Sequence, residues 1–339
     1  MKGPTMKISR DRPLVLRGDN SDWNWIERRL FARRRAERSF YQHMFREDML
    51  LGFSVMGSRE APPFQLESTS PELTEQLLTK VTRRYRPRLQ ELLVELVGEI
   101  AESFLARGKS FYWVMHDQKG WPSRLIDISN QRVFSFFSHV IQYSPPGRKL
   151  LDDYSEVSSQ REIRVLDRRR LLIFKLPRPI WLKIARQNRV LRALDNSGSR
   201  VPIAFQPKVT HENPNVTTHF NFAQWRTLQD FALYRGTRET GWNGRTSNDE
   251  KRSDFFDCVR LLRFRRLQLS LRDAILQQLS TELCRVGREY DPQFCITIRA
   301  SDNLQSIAQL DEIVSKLERE EVSFTEVIDF CFAKGSKSE

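Results

Sequence analysis

The run Leu96-Val97-Gly98-Glu99-Ile100-Ala101-Glu102-Ser103-Phe104-Leu105-Ala106-Arg107-Gly108-Lys109-Ser110-Phe111-Tyr112-Trp113-Val114 holds the turning point of the chain. Before it, Leu89, Leu92, Leu93, Leu96, Val97, Ile100 and Phe104 recur every three or four residues, while Glu91, Glu95 and Glu99 take another face. That spacing predicts an amphipathic helix, and Gly108 is a good stop because only glycine enters the left-handed region freely. Past Gly108 the period changes. Lys109–His116 is short and aromatic, as strands are. A helix therefore feeds a sheet.

Upstream, Ser70-Pro71-Glu72 gives an N-cap, a first-turn proline and a first-turn acid, opening a helix through Leu73, Leu77, Leu78 and Val81. Pro87 predicts a break near Arg86. Residues 61–70 read as a linker and 1–60 as a basic, irregular leader. Within the leader a helix is expected from Trp23, capped by Asp22 or Ser21, with Ile26, Leu30 and Phe31 on one face. The N-terminal basic residues have no apolar run behind them, so neither a signal peptide nor a membrane anchor is expected.

Downstream, Asp117–Gly120 reads as a turn. Leu125–Ile128, Val133–Phe137, Val140–Tyr143, Glu162–Leu166 and Leu171–Leu176 read as strands, and 144–160 as a loop. A helix is expected over Trp181–Leu194, ending by Gly198, and another over Phe222–Tyr234. Residues 199–221 and 235–252 read as irregular. The longest apolar periodicity runs from Asp254 to Gly287. Phe294–Ile298 reads as a strand, and Asp302–Gln305 and Ser323–Glu326 as capping boxes opening two last helices. The class is α+β: a helical segment, a small and mainly antiparallel sheet, a long helix and C-terminal helices. Four segments are expected: a leader at 1–60, an α+β domain at 61–198, a connector at 199–253, and the long helix, strand and closing helices at 254–339.

The 339 residues carry 56 Lys and Arg against 43 Asp and Glu, a net charge of +13. Such an excess favours contact with polyanions, although a basic surface also serves solubility alone. Twelve basic residues against three acids lie between Arg161 and Arg200. Within that stretch Arg168, Arg169, Arg170, Lys175, Arg178, Lys183, Arg186 and Arg189 are candidate nucleic-acid contacts. Lys183, Arg186 and Arg189 recur every third residue and would line one side of a helix, able to follow a phosphate backbone without reading bases. A solvated helix face or docking to an acidic subunit fits the same pattern. Arg260, Arg263, Arg265, Arg266 and Arg272 decorate the long helix and are candidates for a subunit interface through carboxylate pairs.

Catalytic motifs are missing. The sequence has no G-x-x-x-x-G-K-S/T, no G-x-S-x-G and no H-E-x-x-H. His43, His116, His139, His211 and His219 are scattered. Adjacent acids at Asp152-Asp153 and at Asp249-Glu250, the latter beside Lys251, leave a metal-dependent nuclease as one alternative, with Glu162 near Asp167 as another acid pair. No catalytic residue, cofactor or metal is assigned. Cys258, Cys284, Cys295 and Cys331 form no C-x-x-C pair and read as reduced, buried thiols. The seven tryptophans are spread along the chain and read as core and interface fillers. No stretch of about 18 apolar residues occurs, so no membrane contact is expected.

The order of elements resembles the tailed-phage portal proteins. Leu96–Val114 is similar to the helix-to-strand passage of the portal wing, and Gly120–Ile128 to the strand that leads into a hairpin, here Val133–Tyr143. Asp167–Pro177 resembles the portal strand that precedes a helix, here Ile180–Leu194. Phe231–Tyr234 with Gly241–Arg245 resembles the segment before the long return helix, and Phe294–Ile298, Asp302–Leu317 and Val322–Phe332 the closing strand and helices. The resemblance covers residues 90–332. It implies a structural protein of bacteriophage virion assembly and DNA packaging: a homo-oligomeric ring around double-stranded DNA, with terminase and capsid proteins as partners, located in the virion or the host cytoplasm, and without a catalytic site. The chain departs from that pattern in being short, in leaving little room at 195–222 for a stem and clip, and in being basic. The alternative is a basic monomeric or dimeric nucleic-acid-binding protein of mobile-element origin.

Overall fold

The structure, a computed structural model, describes residues 6–9, 13, 15–16, 40–53, 62–79, 88–129, 132–136, 139–144, 147–151, 154–158, 161–199, 222–244 and 254–332. The expected leader helix from Trp23, the Pro87 break, and the acids Asp152, Asp153, Asp249 and Glu250 lie outside these residues, as do His211 and His219. The described chain is α+β, with eight α-helices and twelve strands. It divides into two compact units, each gathered from separate stretches of sequence. One comprises 1–36, 59–176 and 272–301; the other comprises 37–58, 177–271 and 302–339.

The first unit holds all the described strands. In chain order they are β1 (Met6–Ser9), β2 (Val15–Leu16), β3 (Phe64–Ser68), β4 (Lys109–His116), β5 (Pro122–Asp127) and β6 (Val133–Phe136). They continue as β7 (His139–Ser144), β8 (Gly147–Leu151), β9 (Tyr154–Ser158), β10 (Arg161–Leu166), β11 (Leu171–Lys175) and β12 (Ile296–Ala300). Four small sheets result, ordered β1-β10-β7-β6, β11-β4-β5, β12-β3 and β2-β8-β9. All described pairings are antiparallel except the parallel β1–β10. Helices α1 (Phe40–Leu51), α2 (Pro71–Leu78) and α3 (Leu89–Arg107) precede β4, and α2 and α3 belong to this unit.

Helix α3 ends as its sequence dictates. Gly108 sits at φ 73°, and its N–H donates to the Phe104 carbonyl at 2.8 Å. The chain then enters β4 and pairs Phe111 with Ile173 and Trp113 with Leu171 across β11. Phe111, Trp113, Ile128, Val133, Val140, Leu166 and Leu171 form one buried cluster, each large side chain contributing about 1.5–3 kcal/mol.

Helices α4 (Arg178–Ser199), α5 (Phe222–Gly236), α6 (Asp254–Gly287), α7 (Ile307–Glu318) and α8 (Phe324–Phe332) follow. With α1 they are the described elements of the second unit, α6 passing from it into the first at Arg272. The 34 residues of α6 span about 50 Å. Its first-unit half covers an exposed sheet edge. Gln278 Oε1 accepts from Lys175 N at 2.8 Å, Glu282 Oε2 accepts from Ile173 N at 3.0 Å, and the Arg285 guanidinium donates to the Leu171 carbonyl. Spaced one helical turn apart, these three side chains satisfy the backbone groups that edge strand β11 would otherwise expose.

In the second unit Cys258, Leu262, Leu269, Leu310, Leu317, Val327 and Cys331 form a buried cluster. The sequence expectation for Pro71–Leu78, Leu89–Gly108, β4, β10, β11, α4, α5 and α6 agrees with the structure within a few residues. Four local readings differ. Residues Phe64–Ser68, expected as linker, are a strand whose partner Ile296–Ala300 lies far along the chain. The expected loop 144–160 contains the β8–β9 hairpin. Phe40–Leu51, inside the expected irregular leader, is helical. The cap of α7 is Ser306, whose Oγ accepts from Gln309 N at 3.2 Å, rather than Asp302.

Candidate nucleic-acid interface

Helix α4 buries Ile184, Gln187, Leu191 and Leu194, a three-four-three spacing that fixes which side faces inward. Val190 leans on Gly236, where an added Cβ would stand 2.4 Å from a Val190 methyl. Gln42 Nε2 donates to the Asn188 carbonyl at 2.9 Å. With the inward side so fixed, Lys183, Arg186, Arg189 and Arg192 are all exposed. The first turn of α4 carries no acid to complement the helix dipole. Arg186 donates to Glu239 Oε1 at 3.1 Å, with both side chains more than half exposed, a pair worth little in solvent.

The cationic row continues into a concavity. A cavity of about 380 Å³ is lined by Lys183 and Ile180 of α4, Arg263, Arg266 and Ser270 of α6, and Glu239. Arg266 pairs with Asp311. Three cations and one acid thus share a hollow at the end of the row, the arrangement a polyanion backbone finds attractive.

The structure does not gather all eight candidate contacts into one unit. Arg178, Lys183, Arg186 and Arg189 belong to the second unit; Arg168, Arg169, Arg170 and Lys175 belong to the first. Those first three form a single 3₁₀ turn capped by Asp167, whose Oδ1 accepts from Arg169 N at 3.0 Å, and all three are exposed. Arg164, in the same basic stretch, is buried against Glu162 at 2.9 Å. Lys175 stands opposite Lys109 across the β4–β11 ladder. Burial, and then the Lys175 charge, holds the Lys109 ammonium below its ordinary pKa.

Beside the arginine turn lies an aromatic ledge that sequence reading missed. Trp121 stacks on Tyr290 with ring centroids 6.3 Å apart, and Trp121 remains 48% exposed. His116 meets the same Tyr290 edge-on and hydrogen-bonds its hydroxyl. Burial and then Arg170 hold His116 below its ordinary pKa, while burial pushes Tyr290 up to about 12. The only sequence signal was the turn Asp117–Gly120, whose Asp117 Oδ1 accepts from Trp121 N at 2.8 Å and so aims the ring.

The five arginines of the long helix expected at a subunit interface separate by environment. Arg260 is 3% exposed and donates to Asn243 Oδ1, Thr237 Oγ1 and the Tyr234 and Trp242 carbonyls, with its guanidinium 4.1 Å above the Tyr234 ring. Arg265 donates to Gln305, Gln268 and the Gly52 carbonyl. Arg272 is buried beside Asp273, 2.8 Å away. These three turn into the chain's own interior, leaving Arg263 and Arg266 exposed.

A different surface of the described residues is apolar. On α8, Phe324, Ile328 and Phe332 lie one turn apart and are 38%, 43% and 71% exposed. Phe255 and Phe256 at the start of α6 are exposed as well. Large apolar groups in such a row mark an interaction face. Among the described residues no cluster of His, Cys, Asp or Glu could hold a metal, and no helix is long and apolar enough to cross a membrane.

No protein-family profile and no curated protein matches the chain. Among solved structures it is similar to an HK97-family phage portal protein from Corynebacterium diphtheriae. That likeness has 11% identity and a TM-score of 0.32, covering 76% of this chain and 91% of the other. A chain from the virion of a native gene transfer agent particle is similar at 10% identity and a TM-score of 0.39, covering 92% of this chain and 91% of the other. Likeness of that degree leaves the function to be argued from the residues.

Proposed function

We propose that the chain is a portal-like structural protein that assembles side by side into a ring, and that its α4 face contacts double-stranded DNA without reading sequence. The observation that carries the DNA part is the exposed row Lys183, Arg186 and Arg189, running into the hollow with Arg263 and Arg266, where Glu239 lines the wall and Asp311 pairs with Arg266. Such a row neutralises phosphates and releases counterions, so its grip falls steeply with salt. The ring part is supported by the order of elements and by the apolar row Phe324, Ile328 and Phe332, which a neighbouring subunit would cover. Arg263 and Arg266, the exposed pair among the five arginines expected at that contact, line the DNA-facing hollow in this reading instead. On this reading a packaging terminase and capsid proteins are the partners, the virion or host cytoplasm is the location, and the chain performs no chemistry.

Light scattering on the full chain at low micromolar concentration tests the assembly. We expect a many-subunit species that Ile328→Glu reduces to a folded single subunit with unchanged circular dichroism. A wild-type chain that stays a single subunit overturns the ring and leaves the basic monomeric DNA-binding reading.

A further inference from the structure

The four thiols occupy two kinds of site, which corrects the expectation that all are buried. Cys258 and Cys331 are 1% and 7% exposed inside the apolar cluster of the second unit. Cys284, on the last turn of α6, and Cys295, just before β12, belong to the first unit, and there Cys295 is exposed. Their sulfurs stand 3.9 Å apart.

The joint that holds them is rigid. Cys284 Sγ accepts from Ile296 N at 3.0 Å, and Cys295 N donates to Thr69 Oγ1 at 3.0 Å. Asp291 N donates to the Gly287 carbonyl and Phe294 N to the Asp291 carbonyl, each at 2.9 Å, closing the turn between helix and strand. Gly287 lets the Phe294 ring lie against the helix end; a Cβ there would stand 2.1 Å from the ring. The two sulfurs are therefore held 3.9 Å apart, against the roughly 2.05 Å of a disulfide bond. Proximity of this kind turns the second step of an oxidation into an intramolecular one.

We propose that Cys284 and Cys295 are a redox-active pair that small-molecule disulfides such as oxidised glutathione convert into an intrachain disulfide. Exposure sets the order of events. The Cys295 thiol gives its proton to solvent, and its thiolate attacks one sulfur of oxidised glutathione. The glutathione S–S bond breaks and one glutathione thiolate leaves. Cys284 then loses its proton and attacks the Cys295 sulfur, breaking the mixed disulfide and releasing the second glutathione. Two protein thiols lose two electrons and two protons, and one glutathione disulfide becomes two glutathione thiols. Burial raises the pKa of Cys284, which keeps it a thiol until that second step and disfavours direct attack on bulk reagent. The product staples the end of α6 to the β3–β12 sheet, so the first unit gains a covalent tie once the chain leaves a reducing compartment. This inference does not depend on the portal-like reading.

The test equilibrates the full chain in glutathione buffers from reducing to oxidising, quenches with an alkylating reagent and maps the peptides. We expect a 284–295 cross-linked peptide that accumulates with the oxidised fraction and disappears on reduction. Cys258 and Cys331 should alkylate only after denaturation, which serves as an internal control for the folded state. The Cys284→Ser chain should stop at a glutathione adduct on Cys295. The oxidised wild type should melt a few degrees higher than the reduced form. The proposal is overturned if Cys295 of the folded wild type accumulates as a glutathione adduct without the cross-link at every ratio. It is equally overturned if neither thiol reacts, or if the cross-link forms only in denaturant.

Discussion

Helix α4 and the second-unit half of α6 are both rich in arginine, yet they use it in opposite ways. On α6, Arg260 is buried and surrounded by neutral acceptors: two carbonyls, a hydroxyl and an amide oxygen. Its fork ties the end of α5 to the Gly241–Asn243 turn, and Gly241, at φ 80°, admits no side chain because a Cβ would stand 2.1 Å from the Arg260 carbonyl oxygen. On α4, Lys183, Arg186 and Arg189 project to solvent, and among the described residues the row meets one weak partner, Glu239. The first arrangement is a structural crosslink, because a desolvated guanidinium holds only where its donors are satisfied. The second does little for folding and suits a diffuse, salt-sensitive attraction for phosphate. Net charge alone does not distinguish the two; burial does.

The largest effect should come from breaking the buried side of this contrast. Arg260→Ala should cost about 3 kcal/mol or more of stability, since it leaves several buried acceptors unpaired. Arg260→Lys should recover little of it, because an ammonium cannot span the same four acceptors. Urea unfolding of the three proteins measures this. Next in size is the exposed side. Joint charge reversal of Arg186 and Arg189 should leave the unfolding midpoint within about 0.5 kcal/mol of wild type. It should weaken retention of random-sequence duplex about tenfold at low salt and make the salt slope shallower.

A smaller and opposite effect sharpens the contrast. Glu239→Gln removes the acid that competes for Arg186, so duplex affinity should rise about twofold to threefold, read by fluorescence anisotropy against salt. An unchanged affinity would place Arg186 outside the contact. The smallest effect concerns the first unit. His116 is held below its ordinary pKa by burial and by Arg170, with Asp117 and Asp167 acting the other way. The unfolded chain therefore binds the proton more tightly. The contribution of neutral His116 is present above the unfolded value of about 6.5 and is lost as pH falls through the lower folded value. His116→Gln should flatten that part of the stability profile, measured by thermal melts across the acid range.

Much of the fold was legible because its signals are local. Leu89–Gly108 shows an apolar period, a stop and an immediate change to strand chemistry, and the structure follows it closely. Phe64–Ser68 was illegible because Pro62 and Pro63 masked an alternation whose partner strand begins at Ile296. The candidate interface was half legible. Spacing gave the α4 row, since three-residue recurrence on a helix is visible without neighbours. Spacing gave no sign that Arg260 and Arg265 turn away from solvent, because that depends on carbonyls and amides supplied by α5, the residue after α1 and the segment before α7. The aromatic ledge at Trp121 and the thiol pair at Cys284 and Cys295 were hidden for the same reason: each joins residues from separate elements.

In the proposed assembly many copies of this chain, joined through apolar contacts, hold duplex DNA by an exposed cationic helix face. Sedimentation velocity of the full chain with labelled random-sequence duplex, across a salt series, tests both halves at once. We expect a many-subunit particle carrying the duplex at low salt, with the duplex released at high salt while the particle persists. A species of single-subunit mass that leaves the duplex unbound in the lowest salt would contradict it.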